Sequence, residues 1–115
     1  MLIVDDARVF RRAARELLER RGYIVVGEAD SGLTGLTLAD HLAPDTVLLD
    51  VQLPDSTGFE VAAAMMCTDR PPAVLLMTAD PCLRRYAMLK QSGARGLVGK
   101  SDLACTDLTA FWPAP

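Results

Sequence analysis

The sequence predicts a single α/β domain: a five-stranded parallel sheet with helices on both faces. Three observations predict it. Five short aliphatic runs recur along the 115 residues: LIV at 2–4, YIVV at 23–26, TVLL at 46–49, AVLLM at 73–77 and GLV at 96–98. Helix-spaced apolar segments separate them, and alternating strands and helices lead to right-handed crossovers between parallel neighbours. The runs are continuously apolar instead of alternating, as strands covered on both faces are.

Each element has its own signal. Strand one stops at the pair Asp5–Asp6. In the segment ARVFRRAARELLERRG, Phe10, Ala14, Leu17 and Leu18 share one helical face and arginines fill the other. Gly22 is a natural stop, with Arg20 and Arg21 suited to the negative helix end. A second helix is expected from about Ser31 to Leu42, weakened by Gly32 and Gly35 and closed before Pro44. A third begins near Phe59, a fourth near Pro81 with proline in its first turn, and a fifth near Asp102, which the terminal WPAP cannot extend. Strands one, three and four are the most uniformly apolar and belong in the middle. The second is followed by Gly27 and Glu28, and the fifth is flanked by Arg95 and Lys100, as edge strands often are.

Composition narrows the class. Half the residues are hydrophobic and the net charge is −3, so no general electrostatic reason exists for direct nucleic-acid binding. MLIV is cut short by acids, and no run approaches a membrane span, so neither a signal peptide nor a membrane partner is expected. Cys67, Cys82 and Cys105 are odd in number and lack a CxxC pair, which points to free thiols and a cytoplasmic setting. No repeat, linker or low-complexity segment divides residues 1–115, so one domain without an output domain is expected.

The chemistry lies at the strand ends. TVLL runs straight into Asp50, a carboxylate that must lose hydration unless something compensates. In open parallel sheets, ligands sit beyond the carboxyl ends of the strands. Those ends carry Asp5 and Asp6, Asp50, Thr78 and Lys100. If strands one and three are neighbours, three carboxylates crowd into one mouth, and one must hold a proton unless a cation is present. Carboxylates with carbonyls and water suit Mg²⁺. Asp50 then reads as a nucleophile beside a cation, with Lys100 as a second positive charge. Taken singly, these residues have bland readings as helix-dipole partners, a turn residue, a β-branched strand residue and a surface amine. Jointly, at the strand ends of one domain, they are hard to obtain from turn chemistry.

The segments LIVDD, LLDVQLPDSTG, LLMTAD and GLVGKSDL resemble the receiver domain of bacterial two-component response regulators, over nearly the whole chain. The resemblance implies a flavodoxin-like, doubly wound sheet of order 2-1-3-4-5, an order the receiver fold is a standard example of. It implies a phospho-accepting switch and not an enzyme, with self-dephosphorylation within its scope. Asp50 would accept a phosphoryl group from a kinase phosphohistidine or a small phosphodonor. Asp5, Asp6, Asp50 and the main-chain carbonyl of Gln52 would hold Mg²⁺. Thr78 and Lys100 would bind the phosphoryl group, small Ala79 would keep access open, and Gln52 and Asp80 would tune its hydrolysis. Implied partners are a histidine kinase or phosphotransfer protein, and a downstream target or missing output domain. The downstream partner would meet the face of the fourth helix, fifth strand and fifth helix, through which a homodimer could also form, while in the family the kinase often meets the face of helix one that carries Arg8, Arg11, Arg12 and Arg15.

Two positions depart from the family. Leu97 stands where an aromatic residue usually turns inward, which puts Thr78-coupled switching in doubt. Ser101 follows Lys100 where many relatives have proline after a cis bond, so a trans bond is expected, because a non-proline cis bond costs roughly 2.5–4 kcal/mol. Rivals fit less well. A flavodoxin-type binder needs a glycine-rich anion loop where Asp5 and Asp6 stand, and a haloacid-dehalogenase-like phosphatase needs an acid at Gln52. The strongest alternative is a phosphorylation-independent receiver-like interaction module. His41 reads as a surface histidine; Met65, Met66, Met77 and Met88 as core filler; Arg8, Arg11, Arg12 and Arg15 as a solvated face supported by Glu16 and Glu19. Phe111 and Trp112 are expected to cap the core, with an anchor for a partner as the other reading.

Overall fold

The strands are β1 (Leu2–Val4), β2 (Gly27–Ala29), β3 (Thr46–Asp50), β4 (Ala73–Thr78) and β5 (Gly96–Gly99). The helices are α1 (Arg8–Arg20), α2 (Gly32–Leu42), α3 (Gly58–Met65) and α4 (Tyr86–Ser92). The computed structural model describes residues 1–80 and 86–115, so the expected helix start at Pro81 and the thiol of Cys82 lie outside the described residues. All strand pairs are parallel, in the order β2-β1-β3-β4-β5. The three most apolar strands do occupy the middle.

Strand side chains alternate between two faces, so a sheet covered on both needs apolar residues at every position. Ile3, Leu48, Leu75 and Met77 pack on one side with Ala14 and Leu18 of α1 and with Trp112. Leu2, Val4, Val47, Leu49, Val74 and Leu76 pack on the other with Phe59, Val61, Ala62 and Met65 of α3. Phe10 and Leu17 join the first cluster, half-buried. Gly22 has φ of +93° and turns the chain out of α1, as its position suggested. Ser31 caps α2 and Thr57 caps α3, each through its side chain.

Two expected elements differ. The run YIVV is not the second strand: β1 pairs from Leu2 with Gly27, so the ladder falls on Gly27–Ala29. Residues 23–26 lead into it, held by Val26 N–H to Met1 O at 2.8 Å, with Tyr23 and Val25 buried and Ile24 and Val26 exposed. An apolar run thus marks the approach to an edge strand that is itself less apolar. The fifth helix is replaced by two 3₁₀ segments, Lys100–Cys105 and Leu108–Ala110. Thr106 between them is extended, and its hydroxyl turns back to Asp102 O at 2.7 Å. The Asp107 carboxylate accepts from the Thr109 amide and hydroxyl. Short polar side chains here take the backbone away from an α-helical pattern. Arg21 donates to the carbonyls of Ala104 and Thr106. Leu103, Leu108 and Trp112 anchor the segment in the core, and Trp112 donates to Ala73 O at 3.0 Å.

The other residues mostly follow expectation. Among the described residues there is no cis peptide bond, so Lys100–Ser101 is trans. His41 is exposed. Met65 and Met77 are buried and Met66 packs against the core, but Met88 is exposed, since its neighbour Leu89 is the α4 residue that packs on the core. Cys67 and Cys105 are free and exposed. No described helix is long and apolar enough to cross a membrane.

Candidate functional site: an acidic mouth closed by one lysine

The site forms where β1, β3, β4 and β5 end. Asp5 extends the ladder past β1, its N–H donating to Ala29 O at 3.0 Å. Its carboxylate is fully buried; Oδ1 accepts from the Ala7 amide at 2.7 Å as the chain turns into α1. Asp50 closes β3 with its carboxylate pointing into the same mouth: Oδ1 accepts from the Gln52 amide at 3.1 Å and Oδ2 from the Lys100 ammonium at 3.1 Å. Lys100 Nζ also lies 2.6 Å from Asp5 Oδ2. That oxygen is buried and has no well-oriented hydrogen bond, so the contact is one of charge. Asp6 is exposed at the rim, and Asp5, Asp6 and Asp50 each offer a carboxylate oxygen within 4.8 Å of the others.

The electrostatics follow from burial. Loss of hydration pushes the Asp50 carboxyl above its usual range, and Asp5 pushes it further, against the Gln52 amide and Lys100, which pull it down. Burial alone would lower the Lys100 ammonium, but its bonds to Asp5 and Asp50 outweigh burial and raise it. One cation thus holds two buried carboxylates, and the arrangement favours a second cation among the same oxygens.

Thr78 ends β4, buried, its hydroxyl donating to Asp80 O at 3.2 Å and accepting from the Asp80 amide at 3.1 Å. Ala79 and Asp80 are exposed beside it. Gln52 is exposed and paired with Thr57 in an isolated bridge. Leu97, half-buried, lines a cleft of about 290 Å³ with Thr78, Val98, Gly99 and Asp102. The structure brings Asp5, Asp6, Asp50 and Lys100 together, and sets Thr78 at the neighbouring strand end.

Several supporting residues were not foreseen. The ring of Phe10 lies under Lys100, with its centroid 4.6 Å from Nζ. Arg11 donates to Asp5 O at 2.7 Å and is held by Glu28, which also binds Arg15. The arginine face is therefore partly tied to β2, while Arg12–Glu16 and Arg15–Glu19 are the expected helical pairs. Gly58 packs so closely on the Asp50 carbonyl that a Cβ there would collide with it. Gly58 closes the segment LLDVQLPDSTG, but no local pattern in the sequence signals that approach.

A parallel α/β sheet whose carboxyl ends gather three aspartates and a lysine defines the class. Residues 1–108 match the family model of the response regulator receiver domain. The chain is 38% identical over 102 residues to the virulence-factor transcription regulator BvgA of Bordetella pertussis, covering 89% of this chain and 49% of BvgA. It is 32% identical over 100 residues to protein CcdB of Bacillus subtilis, covering 87% of this chain and 83% of CcdB. The solved signal receiver domain of NarL from Mycobacterium tuberculosis superposes with a TM-score of 0.78 at 34% identity, covering 90% of this chain and 85% of that one. The chain belongs to the response regulator receiver domain family. It spans about half the length of BvgA.

Proposed function

We propose that this chain is a phosphoacceptor receiver in which Asp50 takes a phosphoryl group from a kinase phosphohistidine or a small phosphodonor. The observation that carries the reading is the Asp5–Asp6–Asp50 cluster with Lys100 bonded across Asp5 and Asp50. The donor set fits Mg²⁺: hard carboxylate oxygens close together, one of them buried without a hydrogen bond. Asp5, Asp6, Asp50 and the Gln52 carbonyl would hold the ion. Bound there, it would supply Lewis-acid neutralisation of charge on the phosphoryl oxygens.

The chain's own residues do the rest. An Asp50 carboxylate oxygen attacks phosphorus in line, the bond to the donor breaks with its electron pair leaving on the donor, and an acyl phosphate results. Lys100, kept cationic by its two carboxylates, lies where it can pair with the new phosphoryl oxygens. Thr78 must leave Asp80 to donate its hydroxyl to the phosphoryl group, so acceptance is linked to a rearrangement after β4. Exposed Ala79 leaves the approach open, and exposed Gln52 and Asp80 flank it, where they would tune hydrolysis. Downstream binding, to a separate target, an output domain or a second copy, would use α4, β5 and the 3₁₀ segments that replace the expected fifth helix. Leu97 offers no ring to turn inward, so Thr78 moves without an aromatic partner.

Intact mass after incubation with acetyl phosphate and Mg²⁺ tests the proposal. One added phosphoryl group, absent in Asp50→Asn, is expected. No gain in the unsubstituted chain would favour a phosphorylation-independent interaction module.

A further inference from the structure

The first four amides of a helix need partners from outside it. In α2, Gly35 N–H makes the first helical bond, to Ser31 O at 2.9 Å, and of the three helical amides before it Thr34 N–H goes to Ser31 Oγ at 3.2 Å. The other two leave the local chain. Gly32 N–H donates to Asp55 Oδ1 at 2.8 Å and Leu33 N–H to Asp55 Oδ2 at 2.9 Å. Both carboxylate oxygens are engaged, so the side chain is fixed in orientation, and these amides hold the Asp55 carboxyl below its usual range. Gly32 is needed for the approach, because Ser56, Val61 and Asp55 fill the space a Cβ would take.

Asp55 sits in the loop between β3 and α3, and that loop is closed on itself. Leu53 N–H donates to Ser56 O at 3.2 Å, Gln52 bridges Thr57, and Gly58 N–H donates to Val51 O at 2.7 Å. A force on Asp55 therefore reaches Gln52, whose amide bonds Asp50. We infer that Asp55 is a positioning residue: it clamps the β3–α3 loop to the first turn of α2 and so sets where the Gln52 backbone lies beside Asp50. Its relevance to phosphoryl transfer rests on the receiver reading; the clamp itself does not. Asp55 is exposed and outside the core, so its replacement leaves the fold standing.

The test compares the full chain with Asp55→Ala and Asp55→Asn. Amide hydrogen exchange, measured without Mg²⁺, is expected to quicken in Asp55→Ala on both sides of the clamp: at Gly32 and Leu33, and at Gln52 and Leu53. Asp55→Asn, which keeps one acceptor, falls between. With acetyl phosphate as donor, the Mg²⁺ concentration for half-maximal modification rises about tenfold in Asp55→Ala, as losses of supporting groups around metal ligands do. Faster exchange at Gly32 and Leu33 alone, with Gln52 and Leu53 unchanged, would reduce Asp55 to a helix cap and overturn the inference. If the unsubstituted chain takes no phosphoryl group, the receiver reading fails, while the exchange pattern still decides the clamp.

Discussion

Lys100 and Asp50, fifty positions apart, are joined by a 3.1 Å bond between the ammonium and Oδ2 in a mouth where Asp5 is fully buried. Removing one partner of such a pair leaves charge uncompensated. Lys100→Met strands two carboxylates at once. Because the lysine side chain keeps 18% exposure, the loss is set below that of a fully buried pair, at about 2 kcal/mol. Urea denaturation without divalent ions reads it. Added Mg²⁺ should stabilise this variant more than the unsubstituted chain, because the ion replaces the missing charge.

Asp50 gives the pH dependence a definite sign. Its carboxyl is raised in the folded state, chiefly by burial. Between the unfolded and folded values, the folded chain binds more protons, so stability falls as pH rises through the folded value. Asp50→Asn removes that loss. Metal-free Asp50→Asn should melt above the unsubstituted chain at neutral pH, with the gap closing as pH drops below the ordinary carboxyl range. Lys100 acts at the other end: its raised value gives stability that is lost only as pH climbs through the folded ammonium value. A thermal melt series from acid to alkaline pH separates the two.

Gly58→Ala tests the close approach beneath the acceptor. Its Cβ would meet backbone at Asp50 and Val51, which cannot swing aside as a flexible side chain would. Overpacking of this kind costs roughly 1–3 kcal/mol. Chemical denaturation should show a loss in that range, and amide shifts of Asp50 and Val51 should move with it.

Trp112 decides whether the two 3₁₀ segments are held as described. It is buried, donates to Ala73 O and meets Tyr23 edge-on with centroids 5.7 Å apart. Trp112→Ala should lose about 3–5 kcal/mol, as large buried aromatics do. Trp112→Phe should recover most of the packing but not the hydrogen bond. Equal melting of Trp112→Phe and the unsubstituted chain would mean the indole bond contributes nothing.

Much of this was legible in the residues. Uniform apolarity placed β1, β3 and β4 in the centre, because both sheet faces are covered there. Acids and a lysine at strand ends could be gathered once strands one and three were neighbours. The edge strand was not legible at Tyr23–Val26, since pairing is set by the register with Leu2, and an edge needs less apolar surface. The fifth helix failed where Thr106 and Asp107 bond nearby groups, the Asp102 carbonyl and the Thr109 amide and hydroxyl, in place of a continuous helical ladder. Arg11, Glu28 and Asp55 were invisible for another reason: Arg11 and Asp55 bond main-chain groups of other elements and Glu28 holds Arg11 and Arg15 across from β2, and no local pattern records that.

Chemical trapping of the acceptor tests the central claim most directly. After reaction with acetyl phosphate and Mg²⁺, borohydride reduces an aspartyl phosphate to homoserine, which peptide mass spectrometry locates. Homoserine at position 50 alone is the predicted result. Homoserine at Asp5 or Asp6, or none anywhere in a folded chain, would contradict Asp50 as the phosphoacceptor.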